Sequence, residues 1–219
     1  MATRVAVLAS GSGSNLQALL DAASADAPFR IVRVVANRPD AFALERAAVA
    51  GVPARLIDHT EFAERETFEA AVTAQLADDG AEWICLAGFM RVLTASFVER
   101  WHDRMLNVHP SLLPAFKGLN THRRVLAAGL RVTGCTVHVV RPALDDGPVV
   151  VQAAVPVLEH DDDASLAARV LAMEHRAYPL ALRLVTSGAA VIEGDRVRLV
   201  RTPPPDARNA PSGFLWPAA

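Results

Sequence analysis

Asn107 and His109 stand two residues apart in the stretch Met105–Phe116, MLNVHPSLLPAF. Met105 to Val108 reads as a short apolar strand, and Pro110 stops it because proline cannot donate to a sheet ladder. Side chains on a strand alternate faces, so Asn107 and His109 point one way and Val108 the other. A non-ionising amide and an imidazole then stand side by side where a strand ends. In open α/β sheets that end is where ligands bind. Asn and His also favour strand-to-turn transitions, so this stretch alone leaves a structural reading open.

A second chemical pattern lies near the start. Arg4–Ala9 (RVAVLA) has the composition of a buried parallel strand. Ser10-Gly11-Ser12-Gly13-Ser14-Asn15 follows, and Leu16, Leu19 and Leu20 then recur at helical spacing. Strand, Gly/Ser loop and helix make an anion site, because glycines admit close backbone approach and unpaired N–H groups face the ligand. The loop is neither GxxxxGK[S/T] nor a complete GxGxxG, and it suits a monophosphate better than a triphosphate or dinucleotide. Ser14 and Asn15 are also good N-cap residues, which explains part of the pattern structurally. Gly88–Leu93, apolar and following a strand, reads either as a wall for a flat aromatic ligand or as a helix-packing loop. Arg65 reads as an ordinary exposed helix charge.

The elements that must position these residues alternate along the chain. Strands are expected at Arg4–Ala9, Ile31–Ala36, Ala54–Ile57, Trp83–Ala87 and Met105–Val108. Helices are expected from Leu16, over Phe42–Ala50, over Glu61–Asp78, and over Ala95–Arg100 behind a Thr94 cap. Beyond Pro114 come a helix near His122–Ala128, strands at Gly134–Val140 and Val149–Val157, a helix over Ser165–Ser187, and a hairpin at Ala190–Val200. This alternation implies an α/β fold: a Rossmann-like, open, mostly parallel twisted sheet with helices on both faces. Residues 1–200 are expected to form one domain, with a Pro-rich tail at 201–219.

Composition narrows the function. Lys and Arg number 22 against 24 Asp and Glu, leaving no electrostatic footprint for nucleic acid. No run of 18 apolar residues is present and no charged leader precedes the first strand, so a cytoplasmic protein away from membranes is expected. Cys85 and Cys135 sit in apolar strands outside any CxxC pair and read as buried thiols. The seven histidines show no metal-ligand spacing, and no metal is expected.

Taken together, SGSGSNLQAL, LAGFMRVL (86–93), LNVHPSLLP (106–114), GLNTH, TGCTVHVV, LDDGPVV and MEHRAYP (173–179) resemble the folate-dependent phosphoribosylglycinamide formyltransferases. The resemblance spans about residues 4–180 and implies the formyltransferase fold. It also implies transfer of a formyl group from 10-formyltetrahydrofolate, a co-substrate, to the amine of glycinamide ribonucleotide in purine synthesis. By matching position, Asn107, His109 and Asp145 would be catalytic. Gly13, Ser14 and Asn15 would hold the substrate phosphate, and Glu174 would meet the glycinamide end. Arg65, Met90, Arg91, Val92, Leu93, Asn107, Arg141 and Leu144 would flank the folate. A monomer or homodimer is implied, with these two small molecules as partners.

The chemistry of the residue types agrees with those roles. The tetrahedral centre of formyl transfer carries a negative oxygen, which needs preorganised donors such as the Asn107 amide. A carboxylate beside His109 would orient the ring and could take the amine proton. Some positions depart from the family pattern. Asp146 stands where many relatives have glycine, Phe116-Lys117 where an aromatic–proline pair is usual, and Asn120 where histidine is frequent. Neighbouring side chains in a turn diverge, so only one of Asp145 and Asp146 is expected to reach His109. A formyltetrahydrofolate hydrolase shares the catalytic trio but typically has an N-terminal regulatory domain and a second histidine at the Pro110 position. A non-catalytic nucleotide-binding module would leave Asn107, His109 and Asp145 unexplained as a set.

Overall fold

The computed structural model of the chain describes residues 1–200 and the strand Phe214–Trp216. The rest of the expected Pro-rich tail lies outside the described residues. Two units are distinguished: Met1–Asn107 with Val140–Pro142, and Val108–Val139 with the chain from Ala143.

The first unit alternates strand and helix: β1 Thr3–Ala9, α1 Ser14–Ala22, β2 Phe29–Ala36, α2 Ala43–Val49, β3 Ala54–Leu56, α3 Arg65–Asp78, β4 Trp83–Leu86 and α4 Ala95–Arg100. Strand β5, Met105–His109, ends this run, its last two residues counting with the second unit. The strands are parallel in the order β3-β2-β1-β4-β5. Val5 to Ala9 are wholly buried, as an apolar strand covered on both faces must be. Leu8, Val35, Ile84 and Met105 pack with Phe68, Val72 and Leu76 of α3 and with Phe97, Val98 and Trp101 of α4. The order reverses between β1 and β4, so the loops leaving these two strands flank a switch point.

One boundary differs from expectation. Helix α3 begins at Arg65 rather than Glu61, because Asp58 caps a separate 3-10 turn, His59–Glu61, by accepting from the Thr60 amide at 2.9 Å. Phe62 sits between the turn and the helix and packs edge-on against Phe68 at 5.8 Å.

The second unit holds α5 Thr121–Ala127, β6 Val132–Val139, β7 Val149–Pro156, α6 Asp163–Thr186, and the hairpin β8 Ala190–Glu193 with β9 Arg196–Leu199. Strands β6 and β7 pair antiparallel, and β10, Phe214–Trp216, adds antiparallel to β7. Gly134 is required here, since a Cβ would lie 1.8 Å from the Ala153 carbonyl oxygen. A capping box between Asp162 and Ser165 starts α6. Its buried stripe includes Val170, Glu174, Ala177 and Tyr178, so helical spacing carries a carboxylate into the interior. No helix among the described residues is long and apolar enough to cross a membrane.

Candidate active site

The Gly/Ser loop leaves β1 at the switch point. Its carbonyls turn toward helices: Gly11 O accepts from the Ala43 amide at 3.2 Å, Ser12 O from Arg46 Nε at 2.8 Å, and Gly13 O from the Gln17 amide at 2.9 Å. Gly13 is the N-cap of α1, left-handed at φ 67°, and no side chain closes the cap. This corrects the expectation that Ser14 or Asn15 caps the helix; both lie inside its first turn, whose leading amides have no intrahelical acceptor. A Cβ on Gly13 would approach Ala43 Cα to 2.9 Å, so glycine also serves the packing of α1 on α2.

The loop after β4 is tied to the same place. Ser10 donates its amide to Gly88 O at 3.3 Å, and Ser10 Oγ accepts from the Met90 amide at 2.8 Å. Met90 and Val92 are exposed, while Leu93 packs on the core and the Arg91 guanidinium lies 5.4 Å from the Phe68 ring. Arg65 is exposed at the first position of α3. Arg141 is half-buried and binds Asp103 at 2.5 Å, so its cation is already engaged. Asn107 pairs in register with Leu86 at the end of β4. Strand β5 runs unbroken through His109, and residues two apart on it share a face.

In the second unit His109 and Asp145 are buried together. His109 Nδ1 lies 3.3 Å from Asp145 Oδ2, and His109 Nε2 lies 2.9 Å from the Phe116 carbonyl oxygen. A carbonyl can only accept, so Nε2 carries the proton there. Nδ1 faces the carboxylate. Asp145 Oδ2 also accepts from the Gly118 amide at 2.9 Å. Asp145 itself is left-handed at φ 49°, as is Phe116 at φ 54°. Such backbone persists where its surroundings over-determine it, and it clusters at functional sites.

His138 on β6 approaches the other oxygen, Asp145 Oδ1, to 3.9 Å. Burial pushes His138 down to about 4, the Val139 carbonyl and Asp145 opposing, His109 and Lys117 adding to the fall. His138 is therefore neutral at ordinary pH, and this contact is no ion pair. Its Nδ1 faces the Val139 carbonyl at 3.2 Å, which assigns the ring proton to Nδ1.

Asp146 diverges from Asp145, as expected of turn neighbours: it is exposed, and its carboxylate is bound by Lys117. Leu144 is exposed beside it. Glu174 is buried on α6, and its charge adds to burial in pushing the Cys135 thiol up. Among the described residues no group of three or more His, Cys, Asp or Glu side chains is placed to hold a metal ion.

Four contributors are given no role by the sequence. The Phe116 carbonyl and the Gly118 amide are main-chain groups and leave no side-chain signature. Arg46 lies in the second helix, a chain separation of 34 residues from the Ser12 carbonyl it holds. His138 was open to detection, because Thr136 and His138 alternate onto one face of an apolar strand.

A parallel α/β sheet with a Gly/Ser loop after its first strand, and a strand β5 that ends on a histidine buried against a carboxylate, defines an α/β protein of the open-sheet class. Residues 3–182 match the family described as formyl transferase. The chain is 40% identical over 201 residues to the phosphoribosylglycinamide formyltransferase of Escherichia coli (strain K12), covering 88% of this chain and 95% of that protein. A solved structure, glycinamide ribonucleotide transformylase 1 from Symbiobacterium toebii, matches with TM-score 0.88 and 47% identity over 91% of this chain and 95% of that one. The trifunctional purine biosynthetic protein adenosine-3 of Gallus gallus is 49% identical over 190 residues, and the chain spans 19% of its length. The chain belongs to the formyl transferase family and has the α/β formyltransferase fold.

Proposed function

We propose that this protein transfers the formyl group of 10-formyltetrahydrofolate to the primary amine of glycinamide ribonucleotide. The observation that carries this reading is the buried His109–Asp145 contact, with His109 Nε2 committed to a backbone carbonyl and Nδ1 turned to the carboxylate. Nearly full-length similarity to phosphoribosylglycinamide formyltransferases supports the choice of donor and acceptor. We read residues 1–200 as one formyltransferase domain, since the family match runs through residues of both units. A cytoplasmic monomer or homodimer, working without nucleic acid or membrane, is part of the same reading.

The amine nitrogen attacks the formyl carbon, and the carbonyl oxygen takes up the electron pair of its π bond. Asn107 donates to that oxygen, a donor of this kind being worth roughly 3 kcal/mol of barrier when removed, and His109, with Nδ1 turned to Asp145, holds that carboxylate in place. Asp145 accepts the proton that the attacking nitrogen must lose, directly or through one water. Collapse of the tetrahedral centre breaks the bond to the folate nitrogen, which leaves with a proton as tetrahydrofolate. Amides at the start of α1, at Gly13, Ser14 and Asn15, receive the ribonucleotide phosphate, and Glu174 receives its glycinamide end. The wall Met90–Leu93, with Arg65, Arg141 and Leu144, receives the folate. The exposed apolar side chains of Met90, Val92 and Leu144 support that assignment, and Arg141, held by Asp103, contributes through its backbone.

The test is the amine dependence of folate consumption. The purified protein should release tetrahydrofolate from 10-formyltetrahydrofolate only when glycinamide ribonucleotide is present. Release without the amine would make it a hydrolase, and no release under either condition would leave only a binding module.

A further inference from the structure

Three consecutive residues in the loop after β5 reach the catalytic pair or its flank. Phe116 gives its carbonyl to His109 Nε2, Lys117 gives its ammonium to Asp146, and Gly118 gives its amide to Asp145. Two of the four non-glycine residues with positive φ among the described residues are Phe116 and Asp145. Each immediately precedes a member of the Lys117–Asp146 pair. Left-handed backbone is unfavourable for a bulky residue such as Phe and only tolerated by Asp. It survives where neighbours hold it on several sides. Arg124 supplies part of that hold on the Phe116 side: its Nη1 donates to Lys117 O at 2.6 Å, and its guanidinium lies 5.3 Å from the Phe116 ring. On the Asp145 side, the Lys117–Asp146 pair is the ionic link from the turn to this loop.

We propose that Lys117 and Asp146 are positioning residues, a latch that holds the loop carrying Phe116 O and Gly118 N–H in register with His109 and Asp145. The proposal rests on the formyl-transfer reading for its activity test and on geometry alone for its structural one. Neither side chain touches the reacting atoms. With the latch closed, Phe116 O fixes which His109 nitrogen works, and Gly118 N–H fixes which Asp145 oxygen meets it. With the latch open, the backbone relaxes toward ordinary φ values, and both hydrogen bonds lengthen together. A partly exposed ion pair adds little to global stability. Its effect falls instead on the fraction of molecules in which the catalytic pair is aligned.

The experiment uses the full chain with Lys117→Met, Asp146→Asn, the double variant, and the charge swap of Lys117→Asp with Asp146→Lys. Each single change should lower kcat by about fivefold, the upper range for one exposed pair, with KM for both substrates within about twofold. The double variant should lose no more than either single, because the two act as one unit, and the swap should recover most of the loss. Hydrogen exchange at the Gly118 amide should quicken by about fivefold in each single variant and slow again in the swap, whether or not any substrate is turned over. Losses that multiply in the double variant, or a swap that recovers nothing, would overturn the latch. So would unchanged Gly118 exchange. If the parent protein transfers no formyl group, the functional reading fails, and Gly118 exchange alone then decides the latch.

Discussion

His138 gives the protein an acid sensitivity whose size and sign follow from its burial. In the unfolded chain this ring binds a proton near pH 6.5; in the folded protein it does so only at about 4. Above pH 6.5 both states are neutral there and the ring contributes nothing to the pH dependence. Between the two values the unfolded chain takes a proton that the folded one refuses, so stability falls as the pH is lowered. The slope reaches ~1.4 kcal/mol per pH unit, and the whole loss is about 3 kcal/mol, most of it complete by about pH 4.5. The assay is urea unfolding of the parent and of His138→Gln from pH 7.5 to 4.5. The substituted amide does not titrate, so the stability difference between the two should shift by about 2–3 kcal/mol in favour of the variant across that window. His122, also held below its usual value by burial, costs stability as the pH falls in both proteins alike and cancels. So do carboxylates held low by Arg33 at Asp79 and by Arg169 at Asp161, which titrate at more acid pH. If His138 were instead an imidazolium paired with Asp145, the parent would gain on the variant as pH fell. That result, or parallel curves, would refute the reasoning.

Other perturbations separate chemistry from packing. Asp145→Asn keeps an acceptor for the Gly118 amide and should cost only about 1 kcal/mol of stability, while transfer at saturating substrates falls by roughly 10²-fold or more. A smaller loss in turnover would remove Asp145 from proton transfer. Gly13→Ala must take a left-handed φ and push on Ala43, so thermal or urea unfolding should show a loss of about 2–4 kcal/mol even without ligand. An unchanged midpoint would mean that the glycine serves the phosphate alone. Binding of a folate analogue should slow amide exchange at residues 90–93; protection confined to residues 10–15 would count against that wall.

The parallel core was legible because buried strands are continuous apolar runs: Arg4–Ala9 and Trp83–Ala87 were read within a residue or two of β1 and β4. Thr94 was legible as a cap because its hydroxyl oxygen accepts from the Phe97 amide, three residues on. The start of α3 was not, since Asp58 and Thr60 form their own turn in a stretch whose polarity also suits a helix. The face shared by Asn107 and His109 follows from strand alternation alone. What holds His109 does not: a carbonyl from Phe116 and an amide from Gly118 are set by backbone conformation, and any residue type carries both groups. Lys117 and Asp146 were visible only as departures from a family pattern. Their pairing across 29 residues needed the fold.

The central claim is most directly tested by following the formyl carbon itself. The protein is mixed with 10-formyltetrahydrofolate labelled with ¹³C at the formyl group and with glycinamide ribonucleotide, and the label is watched by ¹³C NMR. The account predicts that the signal moves from the folate nitrogen to an amide of the ribonucleotide, mole for mole with tetrahydrofolate released. Label appearing as formate, or remaining on the folate while the ribonucleotide stays unmodified, would contradict it.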